Sequence, residues 1–291
     1  MKITFYDKNI IENNFVLLTI ATHKNRWFND WEYTAKKWGY NYKILGLGQK
    51  WEGFQTKINL IIDYSKRCRQ DRLLCIVDSY DLVVAGPPLE LISKYYATER
   101  KIVVGTEDIC GPNCHITGIP VKNTRKPYIN GGFVMGRACD ICVLYKNVFE
   151  LCSYDDQVGI SRYAEKYPEM FDLDSTQNII LNINHSSDVK DIEKLPNGRF
   201  KYKPTGSTPI IVHTPFMQKD LGTRSNFVRK HVIKDYKSIS TLNFLIEFIG
   251  HLSKHMWNPV YFKLTVTVVT ILIILLLLFM YTLYRFYKKY S

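Results

Sequence analysis

Apolar residues in this chain alternate between short unbroken runs and helical spacing. Phe15 to Thr22 is a run of strand length. Trp27 to Trp38 shows the aromatic and apolar spacing of a helix, stopped by Gly39. Tyr40 to Leu47 reads as a second strand, and Gln49 to Thr56 as a polar loop. Lys57 to Cys68 restores helical periodicity through Ile58, Leu60, Ile61, Ile62 and Tyr64. Leu73 to Val77 is a third strand. Leu82 to Ala85 and the turn Gly86-Pro87-Pro88 follow, then a short helix over Leu89 to Tyr96 and a strand over Lys101 to Gly105. Strands without polar alternation suit burial on both faces. The order β-α-β-α-β-α-β predicts an α/β sheet with crossover helices.

The second half is less regular. Gly111 to Lys126 is a loop rich in Gly, Pro, Asn and Cys, and long loops in compact domains are often functional. Ile129 to Gly136 is a strand bracketed by glycines, which let a backbone or ligand come close. Ala138 to Val148 is helix-like. Asp155 and Asp156 precede a helix over Val158 to Tyr167, where they either cap it or face a sugar. Phe171 to Asp174 and Ile179 to Ile183 follow. Pro209 to Pro215 is a last short strand that carries His213 at its end.

The chemistry concentrates where an apolar run stops. Leu73 to Val77 ends in Asp78-Ser79-Tyr80-Asp81. Ligands of parallel α/β sheets gather outside the carboxyl ends of the strands. Two carboxylates there are hard oxygen ligands for Mg2+ or Mn2+ against the phosphates of a nucleotide. The bland reading has Asp78 capping a turn and Asp81 solvated, and the stretch alone leaves both open. Thr22 is a candidate nucleotide contact or a helix N-cap. Lys57 is a candidate phosphate contact or a solvated lysine. Gly46-Leu47-Gly48 lacks the third glycine and following helix of a dinucleotide fingerprint.

Charge and the C-terminal end widen this picture. The 291 residues carry a formal net charge of +12, which suits a phosphate-bearing partner. The basic residues are scattered and form no nucleic-acid-binding motif, so a nucleic-acid partner is not expected. Leu264 to Tyr284 is apolar, uncharged and long enough for a bilayer, which needs ~20 residues. Tyrosines and Arg285, Lys288 and Lys289 flank it. The N-terminus does not read as a signal peptide. These features predict a domain over 1–243, a linker over 244–263, a single-pass anchor over 264–284 and a basic tail over 285–291. They also predict a cytosolic face for the domain and the lipid bilayer as a partner. The seven cysteines form no evident disulfide framework and read as free thiols rather than a zinc site. Asn184-His185-Ser186 is a sequon, usable only in a lumenal domain.

Taken together, the motifs resemble the glycosyltransferase domain of the procollagen lysyl hydroxylase/glucosyltransferase family. The likeness runs from Leu17 to about His231. It comprises Thr19 to Thr22, Leu45 to Gly48 with Trp51, Val77 to Asp81, Ala85-Gly86, Asn130 to Phe133, Asp155 to Gln157, Asp172 to Asp174, and Pro209 to His213 with Lys219. The resemblance implies a GT-A fold, a mixed and mostly parallel Rossmann-like sheet flanked by helices. It also implies a UDP-sugar donor and a divalent metal, usually Mn2+. By position, Asp78, Asp81 and His213 would ligate the metal and Tyr80 would pack on the uracil base. Thr22 would touch the nucleoside and Lys219 the diphosphate. Asp155 and Asp156 would border the transfer site, with Asn130 near the donor sugar or the acceptor. The expected activity is transfer of a hexose, glucose or galactose, to a hydroxyl of a glycan or protein such as hydroxylysine or glycosyl-hydroxylysine.

Departures from the family pattern bear on that expectation. Thr214-Pro215 stands where the family has glycine and asparagine, and Gly111-Pro112 where it has a Trp-Pro pair. The alternative reading is a catalytically inactive relative that still binds nucleotide and serves as a membrane interaction protein. The oxygenase domain of the family has no counterpart in this sequence, so hydroxylase activity is not expected.

Overall fold

A computed structural model describes residues 14–110, 124–215 and 223–237, together with Thr270. Its centre is a six-stranded sheet. The strands are β1 (Phe15–Ile20), β2 (Tyr42–Leu45), β3 (Leu73–Val77), β5 (Ile102–Glu107), β6 (Tyr128–Arg137) and β7 (Phe171–Asp174). Their order in space is β2-β1-β3-β6-β5-β7. The pairings β1 with β2, β1 with β3, and β5 with β7 are parallel. β6 runs antiparallel to both its neighbours, β3 and β5. The result is a mixed, mostly parallel sheet of Rossmann-like type.

The unbroken apolar runs are explained by burial on both faces. Phe15 and Leu17 of β1 face a cluster with Phe28, Trp31, Leu91 and Tyr95, from α1 (Arg26–Lys37) and α3 (Pro88–Ala97). Val16 and Leu18 face the opposite cluster with Ile58, Ile61, Leu144, Val148 and Ile160. Those come from α2 (Phe54–Arg67), α4 (Ala138–Cys152) and α5 (Asp156–Lys166). The period-two alternation of a strand thus feeds two cores. Helix starts follow local chemistry: Asn25 Oδ1 accepts from Phe28 N at 2.9 Å at the head of α1, and Pro occupies the first turn of α3.

A second, three-stranded sheet sits beside the first, in the order β4-β11-β8. It comprises β4 (Leu82–Val84), β8 (Ile180–Asn182) and β11 (Ile211–His213). A hairpin of β9 (Ile192–Lys194) and β10 (Phe200–Tyr202) and helix α6 (Thr223–Val232) pack on it through Phe200, Tyr202, Val228 and Val232. The hairpin and α6 are elements that periodicity did not reveal. Their segments are too short and too polar for a clear pattern, and tertiary contact fixes them.

Two expectations need correction. No helix among the described residues is long and apolar enough to cross a membrane. The single-pass anchor over 264–284 and its bilayer partner are corrected on that finding; the stretch lies outside the described residues apart from Thr270. Cys110 is disulfide-bonded rather than a free thiol. Disulfides persist in oxidising surroundings, so the cytosolic placement has no support from it. Cys68, Cys75, Cys139, Cys142 and Cys152 are free.

Candidate functional site

The strand ends bring three side chains together. β3 stops at Val77 and delivers Asp78. Its continuation into β4 carries Asp81, and β11 ends in His213, paired in register with Leu82 and Asn182. One ligand atom from each of Asp78, Asp81 and His213 lies within 4.8 Å of the others. Among the described residues this is the group of His, Cys, Asp and Glu side chains close enough to share a cation. Cys139 and Cys142 form no such group.

The histidine is prepared by its surroundings. His213 is buried, and its Nδ1 lies 2.7 Å from Asn182 Oδ1. The Asn182 amide is fixed because its Nδ2 donates to Thr106 O at 2.8 Å. Oδ1 therefore faces the ring and accepts from Nδ1–H. That leaves Nε2 as the outward nitrogen, 3.2 Å from Asp81 Oδ2 and without a well-formed hydrogen bond. A buried ring nitrogen of this kind, facing two carboxylates, fits a divalent cation. Without one, burial pulls the imidazole pKa down, but Asp81, with Asp78 and Glu107, carries it above its ordinary value. A proton then does what a cation would do. Gly132 completes the cradle, for a Cβ there would lie 2.5 Å from His213 Cε1.

Lys57 is neither solvated nor free for phosphate. It is 4 % exposed, with Nζ 2.8 Å from Asp156 Oδ2 and 3.0 Å from Asp78 Oδ1, and it donates to Gly131 O. Burial alone would lower its pKa, but Asp156 and then Asp78 hold it well above the usual lysine value. Asp155 caps α5 through Val158 N at 3.2 Å. Burial, with Asp156 beside it, pushes its carboxyl up to about 6.

The remaining expected residues are placed as follows. Tyr80 stacks on His23 with ring centroids 5.3 Å apart, and its hydroxyl donates to His23 O. Thr22 Oγ1 lies 3.3 Å from His23 Nδ1, and Asn25 rather than Thr22 caps α1. Asn130 Oδ1 accepts from Gly132 N at 2.9 Å. Lys219 lies outside the described residues.

Sequence reasoning missed a buried polar layer beneath these groups. Glu107 accepts from Asn184 Nδ2 at 2.6 Å and from Gln157 Nε2 at 3.2 Å. Burial raises its carboxyl, against hydrogen bonds from Asn130 and Asn184 and the nearby His213. Gln157 Oε1 in turn accepts from Gly131 N. The signal for Asn182 was an amide inside the apolar run Ile179 to Ile183, where an unpaired polar group is costly. Asn184 of the sequon is fully buried against Glu107, so it is not an available glycan acceptor in the folded protein.

The model of the PLOD GT domain matches residues 11–238. The chain belongs to this family. Relatives include the multifunctional procollagen lysine hydroxylase and glycosyltransferase of Caenorhabditis elegans, 25 % identical over 84 % of this chain and 33 % of the relative. Procollagen-lysine,2-oxoglutarate 5-dioxygenase 2 of Mus musculus is 27 % identical over 66 % of this chain and 28 % of its own length. The multifunctional procollagen lysine hydroxylase and glycosyltransferase LH3 of Homo sapiens is 25 % identical over 68 % and 29 %. The aligned PLOD GT region thus spans about a third of these longer relatives.

Proposed function

We propose that this protein is a metal-dependent glycosyltransferase of GT-A type, moving a hexose from a UDP-sugar to a hydroxyl acceptor. The observation that carries the reading is the convergence of Asp78, Asp81 and the outward Nε2 of His213 at the ends of β3 and β11. Glucose or galactose is the expected sugar. The acceptor class is a hydroxyl on a protein or glycan, with hydroxylysine or glycosyl-hydroxylysine the case that the family resemblance implies.

Asp78, Asp81 and His213 would hold a divalent cation, with Mn2+ the first choice. When bound, it supplies Lewis-acid stabilisation of charge on the departing diphosphate. Asn182 keeps the His213 ring in the tautomer that offers Nε2. Lys57 pairs with Asp156 and shares its charge with Asp78. Asp155, with its carboxyl near 6, is able to take or give a proton close to neutral pH. Thr22 and Tyr80 are the proposed nucleoside contacts, Lys219 the diphosphate partner, and Asn130 a contact of the donor sugar or acceptor.

A UDP-sugar panel assayed for UDP release with added Mn2+ tests the reading. Wild-type protein is expected to release UDP from at least one donor, and Asp78→Ala with Asp81→Ala to abolish it. The second reading, a nucleotide-binding relative without turnover, draws on Thr214 and Pro215 beside His213. Metal-dependent UDP binding with no release from any donor would favour it.

A further inference from the structure

The Asp78–Asp81 turn is pinned along its backbone. Asp78 N donates to Gly132 O at 3.1 Å, and Ser79 Oγ to Ile20 O at 3.4 Å. Asp81 O accepts from Thr214 N at 2.8 Å and from Thr214 Oγ1 at 3.1 Å. All these partners belong to strands or strand ends of the two sheets. The carbonyl in the middle of the turn is held differently. Tyr80 O accepts from Nη2 of Arg229 on α6 at 3.2 Å.

Arg229 is 1 % exposed and forks three ways. Its Nε donates to Asp30 Oδ2 on α1 at 2.9 Å, and its Nη1 donates to Ser225 Oγ. Arg224 of the same helix is also buried. It donates from Nη1 to Ile183 O and from Nη2 to Pro215 O at 3.3 Å. Helix α6 therefore grips a carbonyl between the two carboxylates and another just past His213. Burying a guanidinium is costly unless it is paired and hydrogen-bonded. Asp30 supplies the pairing; the bond to Tyr80 O adds nothing to charge balance, and its effect is on the turn.

We propose that Arg229 is a positioning residue for the cation site. By fixing the Tyr80 peptide, it sets how the carboxylates of Asp78 and Asp81 face His213. The inference rests on the reading of these three as metal ligands. Groups behind a ligand set govern affinity by holding it in one geometry.

The pairing with Asp30 and the bond to Tyr80 O are separable. Asp30→Asn retains an oxygen for Nε and leaves the Tyr80 bond intact. Asp30→Asn with Arg229→Met removes both charges, so no uncompensated carboxylate remains, and it also removes the Tyr80 bond. Mn2+ alone is titrated into the full chain, with free Mn2+ read by its paramagnetic resonance signal and folding by a denaturant midpoint. Asp30→Asn is expected to bind Mn2+ as wild type does. The double variant is expected to bind about tenfold more weakly, the size of one charge-assisted hydrogen bond. Binding by the folded double variant within about twofold of wild type overturns the inference while leaving the metal reading intact. If the double variant does not fold, Arg229→Lys decides. It keeps a charge against Asp30 without a fork that reaches Tyr80 O at the same time, and wild-type Mn2+ affinity there overturns the inference. A wild-type chain that takes up no Mn2+ overturns the metal reading and this inference together.

Discussion

Asn182 Oδ1 and His213 Nδ1 sit 2.7 Å apart, on residues paired in register across β8 and β11. The same amide is anchored to Thr106 O through its other end. The tautomer of the histidine is thus decided one strand away from the site. Asn182→Leu removes the acceptor while keeping the volume. Mn2+ affinity by calorimetric titration is expected to fall by roughly 10–100-fold, as for other partners of ligating histidines. Affinity unchanged in a folded variant would show that the ring needs no such partner.

Gly132→Ala pushes a methyl group into His213. The added carbon would lie 2.5 Å from Cε1, 2.9 Å from Nδ1 and 2.8 Å from Asn130 Oδ1. The ring must move, so both metal uptake and stability suffer, stability by about 1–3 kcal/mol as in other overpacked sites. Urea denaturation with and without Mn2+ reads both. A variant that still gains wild-type stabilisation from Mn2+ would rule out contact between Gly132 and the ligand.

Lys57→Met leaves Asp156 buried and uncompensated. Breaking one side of a buried pair costs about 3–5 kcal/mol. Lys57→Met with Asp156→Leu is expected to recover most of that loss, since Asp78 is partly solvated and tolerates its charge. Denaturant midpoints of wild type, single and double variants form the test, and an equally unstable double variant would contradict it.

Asp155 gives stability a pH dependence with a definite sign. Its carboxyl is raised from 3.8 to about 6 in the folded protein, by burial and then by Asp156. The unfolded chain therefore ionises first. The resulting penalty is absent below 3.8, grows as pH rises and is complete above about 6. Asp155→Asn carries no charge and keeps an oxygen for Val158 N. It is expected to gain on wild type as pH rises from 4 to 7, by roughly 1–3 kcal/mol at the upper end. A stability difference that does not change with pH would contradict this.

Asn184 is expected to carry no glycan in folded protein made in a secretory host. Peptide mass mapping reads this directly. A fully occupied Asn184 in correctly folded material would mean that its contact with Glu107 is not formed.

The part of the fold legible in the sequence is the part built from double burial. Leu73 to Val77 suited an inner strand, and such a strand places the two carboxylates that follow it at its carboxyl end. The pairing of Asp78 and Asp81 with His213 came from a family resemblance, because no periodicity links residues on separate sheets. Lys57 misled for a physical reason. A lysine near a helix start usually reaches solvent, and only the later arrival of Asp156 makes burial tolerable. Glu107 and Gln157 were hidden because they satisfy each other, and Asn182 because its partners, Thr106 and His213, lie on other strands. The hairpin of β9 and β10 and helix α6 are fixed by what they pack against.

The antiparallel strand β6 carries one more consequence, for the order in which the molecule is built. It lies between β3 and β5, so both strands wait with an unpaired edge until residue 137 has emerged from the ribosome. The carboxylates at the end of β3 wait longer still, since β11 and α6 come from the last part of the described chain. An amino-terminal fragment ending after β5 would hold β1, β2 and β3 with a bare edge, a template for pairing with other copies. Such a fragment should aggregate rather than fold, and uptake of a cation should follow the docking of β11 rather than help to guide the earlier strands.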